Sequence, residues 1–143
     1  MDPRAFLNLA QCLSRKLGDE AALRTSISRS YYALHNFLAQ FIENNCFLLP
    51  KTGKKHQIVY YCLHSSGVSD IPLIAKHLDE LLSDRNDADY ELGLTKFQDE
   101  RQAVFSFIKA QTAYNDFEKF VSDSNNRKEL IKAIRDYKNK CPF

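Results

Sequence analysis

A run of apolar residues between positions 23 and 41 constrains the fold of this chain more than any other feature. Its members recur at steps of three and four: Leu23, Ile27, Tyr31, Leu34, Leu38 and Phe41. Because an α-helix turns once every 3.6 residues, these side chains fall on one face over more than four turns. The pattern predicts a long central helix that Asp19 caps and that Asn44 and Asn45 weaken.

Residues typical of helix ends delimit four further helices. Asp2 before Pro3 predicts the start of a first helix, which we expect to end at Gly18. Residues 54–64 form a third helix in this scheme, Asp70 caps a fourth, and Ser124 caps the last. The apolar faces expected for these helices are Phe6, Leu9, Leu13 and Leu17; Ile58, Tyr61 and Cys62; Ile71, Ile74, Leu78, Leu81 and Leu82; and Leu130, Ile131, Ile134 and Tyr137.

A fifth helix is predicted to follow a break near Leu92 and Gly93. Thr95 and Gln98 have the spacing of a capping box. The apolar residues that follow are Ala103, Phe107, Ala110, Tyr114, Phe117 and Val121, with Val104 and Ile108 beside them. Because the predicted connections between the helices are short, we expect successive helices to be antiparallel. We therefore predict an all-α, up-and-down bundle of five or six helices that forms one domain over residues 1–143.

Composition supports helix and limits the possible partners. Only four Gly and four Pro occur, which is little for a turn-rich β fold, and the net charge of +2 gives no strong overall field. Residues 79–100 hold eight acids against two bases, a local charge of −6, whereas residues 125–143 carry +4. The chain shows neither a signal-peptide pattern nor a membrane span, so we expect a cytoplasmic protein. Its four irregularly spaced cysteines predict reduced thiols, no metal and no cofactor.

Several polar side chains stand where the helical pattern expects apolar ones. Arg85 continues the core-facing side of the fourth helix, and a buried guanidinium needs a partner such as Asp89, one turn onward. Arg29, Tyr32 and His35 form a polar ridge beside the apolar face of the central helix. These residues fit either a structural ion pair with a solvated ridge or a polar cleft.

The predicted start of the third helix carries basic residues and is one more candidate for a binding site. His56 follows Lys54 and Lys55 where the third helix begins, and free backbone amides at such a position favour anions. The same cluster also fits plain solvated surface. No HExxH, Walker, GxSxG or GxGxxG motif occurs anywhere in the chain, so no catalytic group can be named from motifs.

Three of these segments together resemble the HEPN domain, in particular its small stand-alone prokaryotic branch. They are Ser28-Arg29-Ser30-Tyr31-Tyr32-Ala33, Lys54-Lys55-His56 and Arg85-Asn86-Asp87-Ala88-Asp89-Tyr90. The resemblance extends from the first helix to at least Tyr114. It implies a helical bundle that forms a homodimer, with polar residues near the dimer cleft. Proteins of the family include metal-independent ribonucleases of toxin–antitoxin and defence systems, partners of nucleotidyltransferases, and non-catalytic RNA-binding modules.

The chain departs from the family at the catalytic signature. By resemblance Arg85 matches the arginine of the R-x(4–6)-H element, but Tyr90, Glu91 and Leu92 occupy the positions of the histidine. We therefore expect a dimeric module that binds RNA, another single-stranded nucleic acid, or a protein such as an antitoxin or nucleotidyltransferase. The alternatives are a metal-independent ribonuclease that uses Arg85 with His35 or His56, and a purely structural interaction module. The residues expected to line the site are Arg29, Tyr32, His35, His56, Arg85, Asp89 and Tyr90.

Overall fold

Six α-helices and one short 3₁₀ turn make up the structure, a computed structural model that describes residues 1–143. The helices are α1 (Arg4–Leu13), α2 (Glu20–Asn45), α3 (Lys55–His64), α4 (Ile71–Tyr90), α5 (Arg101–Ser122) and α6 (Ser124–Lys140), and the 3₁₀ turn is Thr95–Phe97. No strand is present, so the predicted all-α bundle is confirmed. None of the helices combines the length and the apolar character that crossing a membrane requires.

Helix α2 lies at the centre of the bundle and contacts α1, α3, α4 and α5. All six residues of its predicted apolar face are buried, none more than 7 % exposed. They belong to a core of 27 buried residues, except for Leu23 and Ile27, which join Ala88, Phe97 and Ala103 in a second cluster of 5. The regular spacing of these residues therefore located the core correctly.

Hydrogen bonds and ion pairs between helices show the relative directions of the helices. Where two helices touch at two places, rising numbers in one against falling numbers in the other mean that they are antiparallel. The diagnostic pairs are Met1–Gln40 and Ala10–Ser26 for α1 and α2, Tyr32–Arg85 and Arg24–Ala88 for α2 and α4, and Glu80–Lys109 and Asp84–Ser106 for α4 and α5. Helices α1, α2, α4 and α5 thus alternate in direction along the chain.

The predicted face of α1 is wrong. The helix ends at Leu13, well before Gly18, and Leu9 and Leu17 are 46 % and 70 % exposed. Leu7 and Ala10 are the buried residues of this helix. Helix α2 approaches α1 closely at Ala10, whose carbonyl oxygen accepts a hydrogen bond from the Ser26 hydroxyl at 2.7 Å.

Two of the predicted helix caps form the expected hydrogen bonds. The Asp2 carboxylate accepts the Arg4 amide at 2.9 Å, at the start of α1. The Asp19 carboxylate accepts the Ala22 amide at 3.0 Å, as an N-cap should. Asp70 precedes α4, but it has a left-handed backbone with φ 64° and its side chain makes no capping bond. Ser124 already lies inside α6, whose cap is Asp123.

The start of α5 also differs from the prediction. Thr95 lies in the 3₁₀ turn, its side chain caps nothing, and α5 begins only at Arg101. Two residues assigned to buried faces are instead exposed, Tyr61 at 46 % on α3 and Ile108 at 50 % on α5. The apolar arc of α5 is consequently narrower than predicted, and one side of this helix faces solvent.

Candidate functional site

The seven predicted site residues lie together where α2, α3 and α4 meet. Three come from the middle of α2, His56 is the second residue of α3, and the other three lie in the last part of α4. We call this group the Arg85 cluster; its members are Arg29, Tyr32, His35, His56, Arg85, Asp89 and Tyr90. The antiparallel packing of α2 and α4 creates it, because this packing places the end of α4 beside the first half of α2.

The Arg85 guanidinium is largely enclosed by its neighbours, since only 16 % of the side chain is exposed. Nη2 donates to the Tyr32 hydroxyl at 2.9 Å and Nη1 donates to Asn86 Oδ1 at 3.0 Å. Nε lies 3.1 Å from Asp89 Oδ2, which confirms the predicted ion pair within α4. The Nε–H is not directed at that oxygen and makes no hydrogen bond, so one buried donor of Arg85 has no acceptor.

Two tyrosine rings flank this guanidinium. Its central carbon lies 5.3 Å from the centre of the Tyr32 ring and 5.4 Å from that of Tyr90, distances at which cation–π attraction acts. Tyr32 is half-buried, whereas Tyr90 is 66 % exposed. Tyr90 therefore presents an aromatic surface to solvent directly beside a positive charge.

Arg29 brings a second guanidinium to the same ring. It lies 5.2 Å from the centre of Tyr32 and 5.3 Å from that of Phe6. Its Nε is buried without an acceptor, and its one hydrogen bond is a long contact of 3.4 Å to the Ser28 hydroxyl. Ser28 in turn donates to Asp89 at 3.3 Å. Arg29 has no carboxylate partner of its own, so its charge is less compensated than that of Arg85.

The two histidines of the cluster pack against each other, with ring centres 4.4 Å apart. His35 is only 3 % exposed, and burial, followed by the charge of His56, lowers its pKa to about 4. Burial also lowers the pKa of His56, helped by Arg85 and Lys55. Both imidazoles are therefore neutral near pH 7.

Hydrogen bonding distinguishes the two rings. His56 Nδ1 is hydrogen-bonded to the Tyr31 hydroxyl, whereas His35 Nε2 is buried without a partner. Burial raises the pKa of Tyr31, which stays protonated. Because His35 is buried and His56 is half-buried, only His56 offers an imidazole that a ligand can approach from solvent.

Arg24 is the buried charge that the sequence analysis missed. It is 8 % exposed, and its guanidinium donates to the carbonyl oxygens of Ala88 and Leu94 at 2.9 and 3.0 Å. Longer contacts reach the carbonyls of Asp87, Glu91 and Leu92. Arg24 also pairs with Glu20 and lies 4.6 Å from the centre of the Phe97 ring. It thereby ties the end of α4, which carries Tyr90, to the start of α2.

The Arg85 cluster lines none of the main clefts of the molecule. A cleft of about 630 Å³ lies elsewhere, between α4, α5 and the start of α6, where Ile74, His77 and Phe120 line it. No three His, Cys, Asp or Glu side chains are grouped closely enough to hold a metal ion. The geometry of the cluster therefore suits an extended anionic or aromatic ligand better than an enclosed small molecule.

Comparison with known proteins assigns no family to the chain. No protein-family model, no curated protein and no solved structure matches it significantly.

Proposed function

We propose that this chain is a HEPN-like, nucleic-acid-associated protein of the cytoplasm that binds single-stranded RNA at the Arg85 cluster. The observation that carries the proposal is that the Arg85 guanidinium contacts both Tyr32 and the exposed ring of Tyr90, while the Arg29 guanidinium also contacts Tyr32. Single-strand binding sites combine positive charge for the phosphates with aromatic rings on which bases stack. The resemblance to HEPN domains supports the same assignment.

The residues of the cluster divide these tasks. Arg29 has no carboxylate partner, and its Nη2 makes only the long contact of 3.4 Å to Ser28, so its charge can attract a phosphate. Arg85 adds a second positive charge, although Asp89 offsets part of its attraction for a phosphate. Tyr90 supplies the exposed ring for base stacking. His56, neutral and half-buried, can hydrogen-bond a sugar hydroxyl or a base edge.

Fluorescence anisotropy with a labelled single-stranded RNA tests the proposal. Substituting Tyr90→Ala should weaken binding by about 1–3 kcal/mol, the usual contribution of one stacked base. Substituting Arg85→Ala should lower the slope of log affinity against log salt by about 0.7, the value for one phosphate contact on a single strand. Arg101→Ala is the control, since that side chain is 77 % exposed on α5 and pairs with Asp99. Wild-type protein with no salt-sensitive affinity for RNA would refute the proposal.

The homodimer is the second part of the proposal, and it rests on the resemblance. Two copies would place two Arg85 clusters in one assembly and lengthen the surface available to a strand. Light scattering of the purified chain over a range of concentrations tests this part. A monomer at every concentration would reject the dimer and leave the RNA site of the single chain to be judged by its own assay.

A metal-independent ribonuclease is the second candidate function, and the paired imidazoles beside Arg85 favour it. His56 would take the proton of the 2′-hydroxyl as that oxygen attacks the phosphorus and the bond from phosphorus to the 5′-oxygen breaks, which leaves a 2′,3′-cyclic phosphate. Water would protonate the departing 5′-oxygen, while Arg85 stabilises the charge on the phosphate. His35 is too buried to reach RNA and would only position His56.

Cleavage of RNA in excess chelator is the test of this candidate. Activity should fall in Arg85→Ala and in His56→Ala, and it should persist in His64→Gln, which changes an exposed residue at the end of α3. Activity that survives both of the first two substitutions would rule out the ribonuclease, as would its absence from the wild-type protein.

A further inference from the structure

Helix α6 carries a row of positive side chains that the Arg85 cluster does not use. Its cations are Arg127, Lys128, Lys132, Arg135, Lys138 and Lys140. All except the half-buried Lys138 are exposed. We call these six residues the α6 basic face. Leu130 and Ile134, which anchor the helix in the core, are fully buried.

These cations are almost uncompensated within the chain. Lys132, which lies 2.8 Å from Asp136, is the one member with a carboxylate in ion-pair distance. Arg127 and Arg135 both donate to neutral oxygens of Asn45, Arg135 at 2.7 Å to its carbonyl. Lys138 lies 4.3 Å from the centre of the Phe47 ring. The charge of the α6 basic face is therefore directed largely to solvent.

The acidic segment of residues 79–100 differs in this respect. Four of its eight acids are paired, Glu80 with Lys109, Asp87 with Lys96, Asp89 with Arg85, and Asp99 with Arg101. Two of these cations, Lys109 and Arg101, come from α5, outside the segment. Folding thus brings two outside cations to the acidic segment and reduces its net charge from −6 to −4, whereas no cation of the α6 basic face except Lys132 gains a carboxylate partner.

We infer that the α6 basic face is a second RNA-binding surface, which holds the phosphate backbone of the strand whose bases contact the Arg85 cluster. The inference rests on the proposed function for the identity of the ligand. Helix α2 joins the two surfaces: Tyr32 lies in the Arg85 cluster and Asn45 contacts α6, which at 1.5 Å per residue places them about 20 Å apart. A single strand that contacts both surfaces must therefore span about this distance.

Aromatic rings beside these cations favour RNA over a lipid surface. Phe47 and Phe143 lie with ring centres 6.1 Å apart, and Phe143 is 54 % exposed. Lysine next to an accessible ring is typical of single-strand binding, whereas a helix lying on a membrane exposes an apolar face. The outer groove of α6 is polar apart from the half-buried Ile131.

The experiment compares two triple variants of the full chain that remove the same charge. The test variant is Lys128→Gln/Lys132→Gln/Arg135→Gln. The control is Arg15→Gln/Lys76→Gln/Arg101→Gln, which changes three exposed residues outside α6. Since each lost phosphate contact lowers the salt slope by about 0.7, the test variant should lose about 2 from its slope and about a hundredfold in affinity near 0.1 M salt. The control should bind RNA as the wild type does.

A double variant covers the case in which losing Arg135 loosens the end of α2. Lys128→Gln/Lys140→Gln changes two exposed residues without carboxylate partners and should lower the salt slope by about 1.4. Circular dichroism verifies that each variant keeps its helices. If the test variant misfolds, the double variant decides the result.

Each outcome is decisive. If the test and control variants lose the same affinity for RNA, only the net charge of the protein matters. If the α6 variants keep the affinity of the wild type, α6 does not contact RNA. Either result overturns the inference. Failure of the wild type to bind RNA also overturns it, and binding to phosphatidylserine vesicles that the test variant loses would then reassign the surface to membranes. If the Arg85→Ala and Tyr90→Ala variants bind RNA as the wild type does while the α6 variants lose affinity, the proposed site and its link to α6 are both refuted, and only RNA binding by the α6 basic face stands.

Discussion

Lowering the pH from 7.5 to 5 should destabilise the fold through His35. The ring is buried at the centre of the bundle beside His56, and its pKa is about 4 in the folded chain against 6.5 for the free side chain. As the pH falls below 6.5, the unfolded chain takes up a proton that the folded chain does not accept until about pH 4. The contribution of His35 to the free energy of unfolding is therefore fully present above pH 6.5 and is lost as the pH falls from 6.5 to 4.

The size of the effect follows from the difference between these two pKa values. At about 1.4 kcal/mol per pH unit, the full loss in the free energy of unfolding is about 3 kcal/mol, of which about 2 kcal/mol is lost by pH 5. The unfolding entropy expected for a chain of this length is about 0.3 kcal/mol/K, so the melting temperature should fall by about 7 °C.

Thermal unfolding followed by circular dichroism at both pH values provides the measurement. His35→Gln has no group to protonate at this position, so its melting temperature should fall about 7 °C less than that of the wild type. His64→Gln is the matched control: it removes an exposed histidine from the end of α3 and should retain the full acid sensitivity. Parallel curves for the wild type and His35→Gln would refute the argument.

Two further predictions concern residues that join or begin helices. Arg24→Met keeps the volume of the side chain but removes the donors to five carbonyl oxygens. It should therefore lower the free energy of unfolding by roughly 3 kcal/mol and the melting temperature by about 10 °C. The control Arg101→Met should leave the melting temperature unchanged. An unaltered melting point in Arg24→Met would contradict this role. Asp123→Ala should lower stability by about 1 kcal/mol in urea unfolding, because its carboxylate accepts the Asn126 amide at 2.9 Å. Ser124→Ala should have less effect, and the reverse order would show that Ser124 is the cap.

Long periodic patterns allowed accurate prediction, and short ones did not. The face of α2 repeats over six residues, so only one orientation buries all of them, and all six are buried. In α1 the leucines at positions 7, 9, 13 and 17 leave the face ambiguous, because the helix has only 10 residues. The predicted cap of α6 was wrong for a similar reason. Asp123 and Ser124 are adjacent polar residues of equal capping ability, and their order alone does not decide between them.

The site could be predicted where its contacts follow from helical spacing. Asp89 lies one turn after Arg85, and the ion pair between them needs no knowledge of the tertiary structure. The contact between Tyr32 and Arg85 depends on the antiparallel packing of α2 and α4, which helical spacing within one helix does not reveal. Arg24 escaped notice because most of its partners are backbone carbonyls, and these leave no mark in the amino-acid sequence.

Tyr32 has a consequence for how mutations in the Arg85 cluster should be interpreted. Its ring contacts two guanidiniums, those of Arg29 and Arg85, at 5.2 and 5.3 Å. Two like charges around one ring are not energetically independent, so the loss of either changes the environment of the other. The Arg29 and Arg85 substitutions should therefore be non-additive, and a double-mutant cycle is needed before either arginine is assigned its own share of ligand affinity.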